Sequence, residues 1–170
     1  NTEKIILTGY DTKKVISFSQ MFSSCFSVKE IVGIENFDTS NCTNFSSMFY
    51  YCNSMTDLDL SSFDLSKATT INNMLNMCSN LVNLRSFKNL GKGFTSKSAN
   101  YSSYTLTLSS TYNLSHESLV DLINNGLYDL NSTYDVANGG TLYTQKLQLG
   151  SSNRARLTAE EIAIATNKGW

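Results

Sequence analysis

Met21-Phe22-Ser23-Ser24-Cys25 is written twice more in this chain, as Met48-Phe49-Tyr50-Tyr51-Cys52 and as Met74-Leu75-Asn76-Met77-Cys78. The motif recurs after 27 residues and then after 26. A second anchor follows each copy, as Phe37-Asp38, Phe63-Asp64 and Phe87-Lys88. Repetition at such a period is typical of proteins in which each unit buries its apolar face only against neighbouring units.

Each unit contains a helix-like half and a strand-like half. Residues 45–52 carry apolar side chains at the i, i+3, i+4 and i+7 positions of a short helix face. Residues 55–60 follow, where Leu58 and Leu60 alternate with polar residues as they do in a strand. The sequence therefore predicts an α/β repeat fold, a leucine-rich-repeat solenoid. It would have one parallel β-sheet, with short helices or helical turns on the opposite side.

The repeat becomes coarser after residue 91. Residues 1–91 hold the short units, whereas residues 92–170 hold longer ones, in which the strand residues Leu106 and Leu147 are 41 residues apart. A helix is predicted after each of these strands, capped by Ser115 or by Thr158. Polar connections are predicted at residues 91–101 and 131–141. We expect both regions to form one continuous solenoid, and we interpret the chain, which begins within a repeat, as part of a longer protein.

The composition restricts the classes of partner. The formal net charge is −1 and no basic stripe is present, so we expect no nucleic-acid partner. The apolar runs are far too short to span a bilayer, so we expect no membrane insertion. Charged residues make up only 16% of the chain, and Ser, Thr and Asn supply most of its polarity. Such a surface is typical of extracellular proteins.

The cysteines occupy equivalent positions in successive units. Their spacing is thus explained by the repeat, and we predict that Cys25, Cys52 and Cys78 are buried thiols. Stacked units would also bring Cys25 and Cys52 near the distance of a disulfide, which remains an alternative. Because no Cys-x-x-Cys pair occurs and the chain has one histidine, we predict no metal site.

No catalytic group or cofactor site is predicted. His116 directly follows the predicted cap Ser115, so we interpret it as a helix-start residue and not as a general base. An aspartate column is predicted to form turns through bonds to its own backbone, with calcium binding as the weaker alternative. The column consists of Asp11, Asp38 and Asp64. The sequence predicts a protein that is not an enzyme.

Two surfaces are candidates for binding a partner. Tyr50 and Tyr51 replace small or flexible residues of the other units, so we expect an exposed pair that could stack on sugars or anchor a protein. The outward strand positions would form a second face, made of Glu30, Val32, Asp57, Asp59, Asn83 and Arg85. A separate aromatic column is predicted to lie in the core, formed by Tyr10, Phe37, Phe63 and Phe87.

The pattern Met-Phe-x-x-Cys-x-x-Met-x-x-Leu-x-Leu-Ser-x-Phe-Asp at residues 48–64 resembles the BspA-like leucine-rich repeats of bacterial surface proteins. The ending at residues 157–170 is similar to the longer repeats that often follow them. The resemblance implies extracellular display on a bacterial cell and adhesion to a host or matrix protein or to a glycan, without catalytic residues. Similar repeats in phage tail and baseplate proteins imply a receptor-binding alternative, and a structural spacer is the third.

Overall fold

The computed structural model describes residues 2–95, 105–132 and 145–170. Its strands are short: β1 (Lys4–Ile6), β2 (Glu30–Val32), β3 (Asp57–Asp59), β4 (Asn83–Arg85), β5 (Thr105–Thr107) and β6 (Lys146–Gln148). Its α-helices are α1 (His116–Asp121), α2 (Gly150–Arg154) and α3 (Ala159–Asn167). A π-helical turn (Leu122–Gly126) continues α1, and 3₁₀ turns span Ile34–Asn36, Lys92–Thr95 and Leu130–Ser132. The predicted connections at 91–101 and 131–141 lie largely outside the described residues.

The predicted solenoid with one parallel sheet is wrong. The strands form three separate two-stranded parallel sheets, which pair β1 with β2, β3 with β4 and β5 with β6. Helices are few, and most of the chain between the strands of the short units is turn. The prediction of parallel pairing between equivalent residues holds within each pair, since Leu58 lies beside Leu84 and Leu106 beside Leu147.

Side chains of α1 bond to the outer edge of the β3–β4 sheet and prevent a further strand from pairing there. The hydroxyl of Ser118 accepts a hydrogen bond from the Leu84 amide at 2.8 Å, and an oxygen of Asp121 accepts one from the Ser86 amide at 2.7 Å. These amides lie on the side of β4 that faces away from β3. A further strand would need the same amides, so the sheet stops at β4.

The helix predicted at residues 45–52 is also wrong, because this segment is a ribbon of turns. Amides of Met48, Tyr50 and Cys52 bond to the carbonyl three residues earlier. The alternate amides, of Phe45, Ser47, Phe49 and Tyr51, bond instead to carbonyls of the next unit. A helix cannot form here because Ser47 and Tyr51 have φ of 55° and 63°, in the left-handed region.

The core is built from columns of equivalent side chains. Phe22 stacks on Phe49 with ring centroids 5.5 Å apart, and Phe37 stacks on Phe63 at 6.2 Å. Phe87 is also buried, as predicted, but Tyr10 is 66% exposed and its assignment to the core was wrong. The described chain has no unit on the outer side of Tyr10, so only one side of its column is covered.

The longer units follow the predicted local structure. Ser115 caps α1 by accepting a hydrogen bond from the Ser118 amide, and His116 is the first residue of that helix. Thr158 and Glu161 form the predicted capping box at the start of α3. No helix in the described ranges is both long and apolar enough to cross a membrane.

Candidate functional site

The eight residues predicted to bind a partner fall in three places. Glu30 and Val32 lie on the β1–β2 sheet, where Glu30 forms an ion pair with Lys4 at 2.9 Å. Four others lie together on the β3–β4 sheet: Asp57, Asp59, Asn83 and Arg85. Tyr50 and Tyr51 lie in the turn ribbon. The break between the sheets therefore divides the predicted outward face.

An open groove runs between the β3–β4 sheet and α1. Its volume is about 530 Å³. The lining from the sheet includes Asp57, Asn83 and Arg85, all exposed and all predicted from the sequence. The lining from the first turns of α1 consists of Ser115, Glu117, Ser118 and Asp121. The groove thus joins strand residues to residues at the start of α1 that lie 30 or more positions away in the chain.

Hydrogen bonds hold the sheet side of the groove in place. The Asn83 amide donates to the Asp57 carboxylate at 2.6 Å, and the hydroxyl of Thr56 donates to the same carboxylate at 2.6 Å. The bonds from Thr56 and Asn83 lower the pKa of Asp57. The carboxylate is therefore charged at neutral pH and its orientation is fixed.

The groove has an excess of negative charge. Carboxylates of Asp57, Glu117 and Asp121 lie around it, and Arg85 is the cation in its lining. The Arg85 guanidinium contacts Asp59 at 3.4 Å, so part of its charge is already paired. Burial raises the pKa of Asp59, but hydrogen bonds from Ser61 and the charge of Arg85 outweigh this effect and lower it overall. Such a groove favours cationic groups and hydrogen-bond donors on a ligand.

The predicted tyrosine pair forms a separate aromatic patch, and neither ring lines the groove. The Tyr50 ring meets the Tyr51 ring edge-on at a centroid distance of 4.8 Å, and Tyr51 meets Phe26 in the same way at 5.9 Å. Both tyrosines are half-buried, so the expectation of an exposed pair was too strong. The most exposed ring of the patch is that of Phe26.

The cysteines are free thiols, and Cys25 is half-buried whereas Cys42, Cys52 and Cys78 are buried. Burial raises the pKa of Cys78 to about 12 and also raises that of Cys52. At neutral pH these sulfurs are protonated and weakly nucleophilic. The thiol of Cys78 donates to the Phe49 carbonyl at 3.0 Å. These thiols therefore contribute packing and hydrogen bonds to the core.

The aspartate column forms turns, as predicted. Asp11, Asp38 and Asp64 each accept a hydrogen bond from the backbone amide two residues later, at 2.9–3.0 Å.

His116 contacts the Glu161 carboxylate at 2.8 Å, which ties α1 to α3. Within the described residues, no group of three or more His, Cys, Asp or Glu side chains could hold a metal ion. The absence of enzymatic activity remains a prediction.

Sequence reasoning missed the helix side of the groove. Ser115, Ser118 and Asp121 are spaced three residues apart, which places them on one face of a helix whose other positions include the buried Leu119 and Leu122. This stripe of polar residues was the sequence signal that could have identified the helix side of the groove. Their strand partners could not be found in the same way, because they lie 34–36 residues earlier in an unrelated type of unit.

Residues 1–109 match the profile of a family described as "Mycoplasma protein of unknown function, DUF285". The match covers more than half of the 170 residues, and the chain belongs to this family. No curated protein and no solved structure shows a significant match to the chain.

Proposed function

We propose that this member of the DUF285 family is a non-catalytic binding module of a bacterial surface protein, of the BspA-like type. It recognises a host or matrix protein, or a glycan, outside the cell. The observation that carries the proposal is the groove between the β3–β4 sheet and α1, because Asp57, Asn83 and Arg85 line it beside the helix residue Glu117. The oriented carboxylates and amide favour donors such as sugar hydroxyls or basic side chains.

Binding of the purified chain to an array of glycans, matrix proteins and bacterial cell walls tests this proposal. The groove variant is Glu117→Gln, which removes one exposed carboxylate from the groove and leaves the hydrogen bonds of Ser118 and Asp121 intact. We expect at least a tenfold loss of affinity for any ligand of the groove, with an unchanged unfolding midpoint, since surface charges contribute little to stability.

The matched control is Tyr50→Ser combined with Tyr51→Ser, which removes the aromatic patch and leaves the groove intact. A ligand that is lost in the control but kept in the groove variant would move recognition to the tyrosines and contradict the proposal. Binding only to cell walls would favour a phage receptor-binding module. No binding to any member of the array would favour a structural spacer.

A further inference from the structure

The surface at the N-terminal end of the stacked units, here called the end surface, is formed by Tyr10, Val15, Met21 and Cys25. Each of these residues begins a column whose later members are buried. Met21 is 43% exposed, whereas the equivalent Met48 and Met74 are 0% and 1% exposed. Val15 and Cys25 are half-buried, whereas their equivalents in the next two units are buried. The end surface thus has the apolar character of the core.

The backbone at this end carries unused hydrogen-bond acceptors. In the first ribbon, residues 17–25, alternate amides donate to carbonyls of the second unit at 2.7–2.9 Å. These donors are Phe18, Gln20, Phe22 and Ser24, and their acceptors are Asn44, Ser46, Met48 and Tyr50. The second ribbon donates to the third in the same direction. Each ribbon therefore has donors along one edge and acceptors along the other.

The acceptor edge of the first ribbon lies on the end surface. By equivalence with the second ribbon, its acceptors are the carbonyls of Ser17, Ser19, Met21 and Ser23. In the described part of the chain none of these four carbonyls accepts a hydrogen bond. A shallow cleft of about 480 Å³ follows the end of this ribbon and is lined in part by Ile5, Cys25 and Val28.

We propose that the end surface is a docking surface for one further repeat unit of the same Met-Phe-x-x-Cys type. The ribbon of such a unit presents four amides at alternate positions, which matches the four free carbonyls, and its apolar side chains would cover Tyr10 and Met21. A second copy of this end surface is a poor occupant because acceptors would face acceptors. A β-strand is also a poor match, because amides and carbonyls alternate along its edge.

Fusing an extra unit to the full chain tests this proposal. A copy of residues 28–54, carrying Met48→Leu in the copy alone, is joined directly before Asn1. This junction keeps the 27-residue offset between the first two units. The readout is the rate of Met21 oxidation by hydrogen peroxide, measured by peptide mass spectrometry. Met48 and Met74 of the same chain serve as buried standards. We expect oxidation of Met21 to slow at least tenfold and to approach the rate of these standards.

Two control chains identify the cause of any protection. The same copy joined after Trp170 should leave the Met21 rate unchanged. A copy before Asn1 with Ser47→Pro in that copy loses one amide donor and cannot adopt the positive φ of this position. In this control chain we expect Met21 to be oxidised as fast as in the parent chain.

Three outcomes would overturn the proposal. The first is an unchanged rate of Met21 oxidation in the chain with the extra unit before Asn1, whether or not that unit is folded. The second is equal protection by the Ser47→Pro copy, which would indicate nonspecific apolar cover. The third is a Met21 rate in the parent chain that falls as protein concentration rises, which would assign the end surface to a second copy.

Discussion

At the scale of single residues, Thr39 links two units through one hydroxyl. Its Oγ1 accepts a hydrogen bond from the Asp64 amide at 2.8 Å and donates to the Asp64 carbonyl at 3.1 Å. The side chain is only 1% exposed, so neither backbone group of Asp64 has easy access to water as a substitute partner. Thr12 makes the same pair of bonds to Asp38 one unit earlier.

We predict that Thr39→Val lowers the free energy of unfolding by about 1–3 kcal/mol, because it preserves the shape of the side chain and removes both partners of Asp64. Urea-induced unfolding followed by circular dichroism measures the change. Thr43→Val is the matched control, since the Thr43 hydroxyl is exposed and donates to the Ile16 carbonyl at 3.3 Å. The control should change stability by no more than about 0.5 kcal/mol. Equal losses in the two variants would contradict the prediction.

The sequence predicted some of these residue roles. The turn-forming role of the aspartates was found because an aspartate before Thr-Ser has a local partner two residues away. The Thr39 bonds were not predicted, because their partner is 25 residues away. Tyr10 was wrongly assigned to the core for a similar reason. Equivalent positions in a repeat point their side chains in the same direction, but burial also requires a neighbouring unit that covers the side chain.

At the scale of elements, the turn ribbons replace the predicted helices. Left-handed residues recur at equivalent positions: Gln20, Ser47 and Asn73 form one set, and Ser24, Tyr51 and Met77 form the other. None is glycine, so the positive φ costs about 1–2 kcal/mol of backbone strain at each of these positions except Asn73, since asparagine adopts this conformation more readily. Hydrogen bonds to the next unit offset this cost in the first two ribbons.

We predict that the preferred substitution at Ser47 is glycine. Ser47→Gly should be within about 1 kcal/mol of the parent or more stable, because glycine adopts positive φ without strain. Ser47→Val should lose about 1–2 kcal/mol or more, since a β-branched residue is strained there. Thermal and urea unfolding measure both. At the control position Ser23, which is not left-handed and has the larger Tyr50 as its equivalent, glycine should be no better than valine.

A second prediction at this scale concerns the edge of β4. Ser118→Ala removes the hydroxyl that accepts from the Leu84 amide and donates to the Val82 carbonyl. We expect a loss of about 1–3 kcal/mol of unfolding free energy, because the amide of the buried Leu84 loses its partner, whereas the Val82 carbonyl keeps a bond from the Ser115 amide. Hydrogen exchange at the Leu84 amide should accelerate. Ser152→Ala, at an exposed position in α2, is the control and should leave both quantities nearly unchanged.

The strands and helix caps were predictable because their signals are local. The positions of the strands, the Ser115 cap and the Thr158 capping box follow from patterns within a few residues. The break in the sheet could not be predicted, since it depends on Ser118 and Asp121, which reach β4 from a distant helix. The false helix at residues 45–52 arose because a turn ribbon that buries one face also repeats apolar residues three and four positions apart.

At the scale of the whole molecule, the carboxylates of the turns couple stability to pH. Hydrogen bonding from Ser40 lowers the pKa of Asp38. At Asp64 burial raises the pKa, but hydrogen bonds from Asn89 and Ser66 outweigh it and lower the pKa overall. The pKa values of Asp57 and Asp59 are lowered as well. A depressed folded-state pKa adds stability that is present above the ordinary aspartate value of about 4 and is lost as pH falls through the folded value.

We therefore predict that the unfolding free energy falls steeply below a pH of about 4. Asp64→Asn should be less stable than the parent at neutral pH, and the difference should shrink as the pH falls through the lowered folded-state pKa of Asp64, because that carboxyl group then becomes protonated in the parent. Urea unfolding across this pH range measures both curves. Thr39→Val changes no ionisable group, so the unfolding free energy that this variant loses should not depend on pH in the same way. A deficit of Asp64→Asn that stays constant with pH would contradict this account.

The column of thiols has a consequence for the conditions under which the chain folds. Cys52 and Cys78 donate to carbonyls of the preceding unit, and all four cysteines are free thiols. The stability of the chain should therefore be the same with and without a reductant such as dithiothreitol, which unfolding midpoints would show. The buried thiols take their part in the fold in the reduced form, so we expect refolding of the purified chain to proceed without an added oxidant.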